Sequence, residues 1–150
     1  MTTADPVPPT ELVRLEIPAL PAFVGVARVV VASVSTTVEG IDDDRLEDLR
    51  LAVSEACTNV VEAHLGDGTD QRVVLRCVLE ADALEVHVED NGPRTDGDPV
   101  GGGSDVLGDG AERAWGLQLI RALVDDVTYT TTDGGGARAV RLLVRRTSEG

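Results

Sequence analysis

The apolar positions of this chain change period several times, and each change marks an element. In "ELVRLEI" Leu12, Arg14 and Glu16 alternate with Val13, Leu15 and Ile17, a period of two that predicts a first strand. From Pro21 to about Val38 the residues Phe23, Val26, Ala27, Val30 and Val34 follow helical spacing despite much β-branched content. "GIDDDRLEDL" then supplies aspartates where a helix N-terminus favours caps and negative charge. The helix it opens runs to about His64, with Leu49, Val53, Ala56 and Val60 as its buried stripe. After the break "GDGTDQ", the segments "RVVLRCVLE" and "ALEVHVED" read as two strands around a short turn at Ala81 and Asp82. In the second of them Leu84, Val86 and Val88 predict a buried face, and Glu85, His87 and Glu89 a solvent-facing one.

Periodicity vanishes between Asn91 and Ala111, where six glycines follow Gly92 among several acids. A patternless segment of that length inside a domain is functional or disordered. Helical spacing resumes in "ERAWGLQLIRALVDD", with Trp115, Leu119, Ile120, Leu123 and Val124 apolar. "VTYTTT" and "RAVRLLVRR" close the series as strands around "DGGG". Residues 1–10, rich in Pro and Thr, are expected to be disordered. The order β, α, α, β, β, loop, α, β, β predicts an α+β fold: a two-layer sandwich whose mostly antiparallel sheet carries helices on one face.

Composition narrows the function. A chain of 150 residues builds one core, hence one domain and one site. Its net charge of -14 opposes a phosphate backbone, and its aromatic residues are only Phe23, Trp115 and Tyr129, too few for a base-stacking platform. Nucleic acid is therefore not an expected partner. All 13 basic residues are arginine, which removes the lysine-dependent phosphate loop and Schiff-base chemistry. Cys57 and Cys77 lie in apolar segments without metal-ligand spacing and read as buried thiols. No basic-then-apolar leader and no long apolar run is present, so a soluble cytoplasmic protein is expected, with no membrane contact.

Three stretches carry candidate chemistry. In "LAVSEACTNVVEAH", Glu55 and Asn59 stand four residues apart, so they share one helix face at the border of the apolar stripe. A carboxylate there can accept a proton, and an amide oxygen suits a Mg²⁺ ion that keeps most of its waters. In "VEDNGP", Asp90 ends a strand; it can accept a hydrogen bond from an amine such as that of adenine, with Gly92 allowing close approach of a flat ring. In "ERAWGLQLIRALVDD", Gly116 interrupts a helix start whose free amides suit phosphate, and Arg113 adds positive charge.

This succession resembles the Bergerat-fold (GHKL) ATPases of the gyrase and histidine-kinase type. Within them "LRLAVSEACTNVV" looks like the asparagine box of the small bacterial anti-sigma factors that act as serine kinases. The resemblance covers Leu12 to Arg146 and implies a histidine-kinase-like ATPase domain at residues 11–147, with a flexible lid at about 93–113. It implies ATP and Mg²⁺ as cofactors, Glu55 as general base toward a partner's serine, and Asn59 as the metal ligand. Thr58 would contact the nucleotide site and Asp90 the adenine amine, with Gly92, Arg113, Ala114, Trp115, Gly116 and Leu117 around the nucleotide. The implied partners are a sigma factor and an anti-sigma-factor antagonist, and the implied assembly is a homodimer. Some positions depart from the pattern: Arg94 stands for the second glycine of the first glycine box, Ala114 for the first glycine of the next, and Ala137 for the threonine of the last. Ala63 likewise replaces a frequent histidine, and His64 follows it. These departures motivate an alternative, a catalytically weak or nucleotide-free binding module of the same fold that inhibits its partner stoichiometrically. A detached sensor-kinase ATPase domain is disfavoured, since no dimerisation helix bearing a histidine is present.

Overall fold

The computed structural model describes residues 8–63, 72–90, 118–131 and 138–147. Five strands form one antiparallel sheet: β1 (Thr10–Pro18), β2 (Arg72–Leu79), β3 (Ala83–Asp90), β4 (Asp126–Thr131) and β5 (Arg138–Arg145), in the spatial order β1-β2-β3-β5-β4. Helices α1 (Val24–Ser35) and α2 (Asp43–Ala63) pack on each other and on the sheet, α1 over β1 and β2, α2 over β2, β3 and β5. A third helix, α3, covers the described residues 118–123. The α+β sandwich expected from the element order is the fold observed. The proposed disordered segment, the proposed lid and the "DGGG" turn lie wholly or mostly outside the described residues.

Helix α2 is built as its sequence suggests. Asp42 caps it, its Oδ1 accepting a hydrogen bond from the Arg45 amide at 2.9 Å, and Asp43 and Asp44 occupy the first turn where the helix dipole favours anions. Leu49, Ala52, Val53, Ala56, Cys57 and Val61 are buried against the sheet. The stripe is thus rotated slightly from the expected one: Val60 is only half-buried, and Cys57 and Val61 go deeper.

Helix α1 differs more. Pro21–Phe23 form a 3-10 turn and the α-helix stops at Ser35, short of Val38. Three consecutive hydroxyl residues account for the stop: Ser35, Thr36 and Thr37 donate to the carbonyls of Val31, Ser33 and Val34 at 2.7–2.8 Å, competing with continuation of the helix. Its buried face is Ala27, Val31 and Ser35, whereas Val26 is exposed. With nearly every position apolar, the period in this segment carries no phase.

Beyond α1, Gly40 turns the chain with φ +94°, and a Cβ there would lie 2.7 Å from the Thr147 carbonyl. The Thr147 amide donates to the Gly40 carbonyl at 2.9 Å, and the Arg146 guanidinium reaches the carbonyls of Glu39, Glu80 and Ala81. One arginine therefore ties together three separate stretches of chain.

The sheet face turned away from the helices corrects a second expectation. Register places Arg14, Arg76, His87, Arg141 and Thr128 in one row across all five strands. Arg76 donates to Glu11 and Glu89, while Arg141 donates to Glu85 at 2.8 Å and to Thr128. His87 Nε2 lies 2.9 Å from Glu85 Oε1. Glu85 is consequently buried, not solvent-facing, and His87 is half-buried beside it. Hydrogen bonding to Arg141, helped by His87, holds the Glu85 carboxyl down at about 2 against the opposing effect of desolvation. Glu80, hydrogen-bonded to the same carboxylate, is shifted upward by that like-charged neighbour.

Candidate functional site

The described part of the site lies on α2 and β3. Glu55, Thr58 and Asn59 are all half-buried, at the flank of α2 rather than on its core face. Asn59 is the fourth residue after Glu55, so the two stand about one helical turn apart, roughly 6 Å between Cβ atoms. This half-exposed position keeps a carboxylate and an amide within reach of a ligand while the neighbouring Val53, Ala56 and Cys57 hold the helix down. Burial pushes the thiols of Cys57 and Cys77 up to about 12, so both remain inert protonated core residues.

Asp90 is the last residue of β3 and is 1% exposed. It continues the alternation Leu84, Val86, Val88, and its register partner on β2 is the core residue Val73, so it enters the layer between sheet and helices. That layer is where α2 packs across β3. The fold thus brings Glu55, Asn59 and Asp90 to the same side of the sheet. Gly92, Arg113, Ala114, Trp115, Gly116 and Leu117 lie outside the described residues.

The donor chemistry fits a nucleotide with its divalent ion. Among the described residues no three His, Cys, Asp or Glu side chains cluster as a self-sufficient metal cage. A hard ion at Asn59 would take one amide oxygen from the protein and complete its shell with phosphate oxygens and water, the arrangement Mg²⁺ favours in phosphoryl-transfer sites. Asp90 offers an acceptor in an apolar layer, suited to an exocyclic amine.

Two contacts, one beside the site and one at the far end of α2, escape sequence reasoning. Arg28 of α1 donates to Ser54 Oγ at 3.3 Å, joining α1 to α2 next to Glu55. Its signal was available, since Arg28 is the lone charged residue of α1. Asp125, just after α3, binds Arg45 of α2 and accepts the Arg145 amide at 2.7 Å, so the end of α3 is fastened to both layers. Nothing local in the sequence announces that second contact.

Comparison with known proteins bears on the same region. A family model described as a histidine kinase-like ATPase domain matches residues 17–142. Among curated proteins, "Serine-protein kinase RsbW" of Bacillus pumilus is 35% identical over 90% of this chain and 88% of its own length. Its namesake in Bacillus subtilis is 32% identical, covering 83% of this chain and 81% of its own. That of Listeria monocytogenes is 32% identical and covers 81% of each.

Proposed function

This chain belongs to the histidine kinase-like ATPase domain family, and from that membership we propose that it is an ATP-binding anti-sigma regulator and protein-serine kinase. It phosphorylates a serine of an anti-sigma-factor antagonist and sequesters a sigma factor until unphosphorylated antagonist displaces it. The observation that carries this reading is the placement of Glu55 and Asn59 on the half-buried flank of α2, with Asp90 buried on the same side of the sheet. Relatives named as serine-protein kinases, one matched over 90% of the chain and others over 81–83%, supply the acceptor class.

In this reading Glu55 takes the proton of the acceptor serine as its oxygen bonds to the γ-phosphorus, with ADP as leaving group. Asn59 holds Mg²⁺ against the phosphates, Thr58 borders them, and Asp90 accepts from the adenine amine. Gly92 and Arg113, Ala114, Trp115, Gly116 and Leu117 surround the nucleotide beneath a lid at about 93–113. The ATPase domain spans 11–147, and the protein acts as a cytoplasmic homodimer. No helix among the described residues is long and apolar enough to cross a membrane.

The replaced glycine-box positions, Arg94, Ala114 and Ala137, favour a second reading in which the same fold inhibits its partner without nucleotide. One titration separates the two. ATP binding is followed by Trp115 fluorescence and calorimetry, with and without Mg²⁺, in the wild type, Asn59→Ala and Asp90→Asn. Saturable binding that depends on Asp90, strengthened by Mg²⁺ only when Asn59 is present, supports the kinase. Serine phosphorylation of an antagonist, lost in Glu55→Ala, then completes it. Absence of binding at millimolar ATP selects the nucleotide-free inhibitor.

A further inference from the structure

Strand β1 is the outermost strand on one side of the sheet, so its far side has no partner strand among the described residues. Its pairable length is bounded at both ends. The register with β2 shifts between Glu11 and Val13, leaving Leu12 unpaired, and Pro18 ends the strand without an amide to donate. The regular run is therefore Val13–Ile17, with Leu15 at its centre. Val13 and Leu15 are half-buried on the helix side, while Arg14 and Glu16 are exposed on the other. Arg76 and Arg141, in the same row as Arg14, have carboxylate partners within the chain; Arg14, at the edge, has none among the described residues.

Helix α1 overhangs this edge. It packs over β1 and β2 with α2 along one flank, where Arg28 reaches Ser54. Val26 and Val30 stand two residues to either side of Arg28, about 200° round the helix, hence on the flank turned away from α2. Val26 is 42% exposed and Val29 60%. Of the seven exposed large apolar residues among those described, four, Leu12, Leu20, Val26 and Val29, fall in this one stretch from β1 to α1. A helix that is apolar nearly all round calls for cover on every side.

Resting on the homodimer of the reading above, we propose that a second copy of this chain docks here, β1 against β1 in antiparallel order about a twofold axis at Leu15. The two sheets become one, and the α1 flanks meet above the seam. The register follows from the sequence. Full overlap of Val13–Ile17 with itself sets Leu15 opposite Leu15, Val13 opposite Ile17 and Arg14 opposite Glu16, the last two pairs occurring twice. Directly opposed residues share a face, so the apolar pairs fall on the helix side and the ion pairs on the outer side. A slip of two residues sets Arg14 opposite Arg14 or Glu16 opposite Glu16, and a slip of one sets apolar residues opposite charged ones. The seam is also locally neutral, with one positive and one negative side chain from each copy, in a chain whose net charge of -14 otherwise opposes self-association.

Sedimentation equilibrium of the full chain tests this by reading the dimer dissociation constant. Arg14→Glu and Glu16→Arg each set like charges opposite one another twice and are expected to raise it about tenfold. Both substitutions in one chain restore it to within about threefold of the wild type. An equimolar mixture of the two single variants forms a heterodimer of near wild-type affinity, because every opposed charge is then unlike. Tyr129→Glu, an exposed residue of the opposite edge strand β4, leaves the constant unchanged. A dimer that neither single variant weakens, or a mixture that forms no heterodimer, overturns this interface and leaves the homodimer standing. A wild type that stays monomeric at millimolar concentration overturns both, while the ATP titration decides the kinase reading separately.

Discussion

Strand β3 carries the two buried carboxylates of the described residues, on opposite faces of the sheet. Glu85 faces away from the helices, and both of its oxygens are engaged, one by Arg141 and one by His87. Asp90 lies on the helix side at the strand's end, where the sequence enters Asn91 and Gly92. Burial alone therefore does not mark a functional acid. Glu85 is 6% exposed because its neighbours on β5 and on its own strand close over it, a structural role complete within the sheet. Asp90 sits in the layer shared with α2, where a proposed ligand and the helix meet.

Substitution can break this contrast. The largest expected effect is on binding: Asp90→Asn keeps shape but removes a charged acceptor, and ATP affinity measured by calorimetry falls about a hundredfold. Glu85→Ala is expected to do the reverse. It strips Arg141 of its partner and costs about 2 kcal/mol, seen as a melting temperature lowered by about 5 °C, with ATP affinity unchanged. A loss of ATP affinity in Glu85→Ala, or none in Asp90→Asn, would dissolve the distinction.

Acid titration sharpens it further. The Glu85 carboxyl is depressed from its ordinary 4.5 to about 2 in the folded protein. The stability it contributes is fully present above the ordinary value and drains away as pH falls through about 2, with the upward shift of Glu80 partly offsetting it. In Glu85→Gln, urea midpoints measured from pH 5 down to about pH 2 should fall less steeply than in the wild type. The smallest effect belongs to an exposed carboxylate with a local duty: Asp42→Ala removes the α2 cap and costs about 1 kcal/mol, leaving ATP affinity unaltered.

The same two residues show how far the sequence was legible. The alternation Leu84, Val86, Val88 correctly assigns faces to every residue of β3, because strand period is local. It cannot reveal what covers a face. Arg141 meets Glu85 only because β5 pairs with β3 ahead of β4, a non-local arrangement that no window of sequence contains. In α2 the contrast between apolar and charged positions was strong, so the Glu55 and Asn59 flank was placed correctly. In α1, where valine and alanine fill nearly all positions, the helix was recognised but its buried face was not. Motif resemblance supplied the remaining candidates, Gly92 and Arg113 to Leu117, which fall outside the described residues.

The position of β5 between β3 and β4 also bears on biosynthesis. While the chain is being made, β1, β2 and β3 can pair as they emerge, yet the backbone of β3 keeps an open edge until residues 138–145 have been added. The long glycine-rich stretch, α3 and β4 must all be synthesised during that interval. A ribosome paused within them would display an unpaired edge with Leu84, Val86 and Val88 on one side, a ready template for a neighbouring nascent chain.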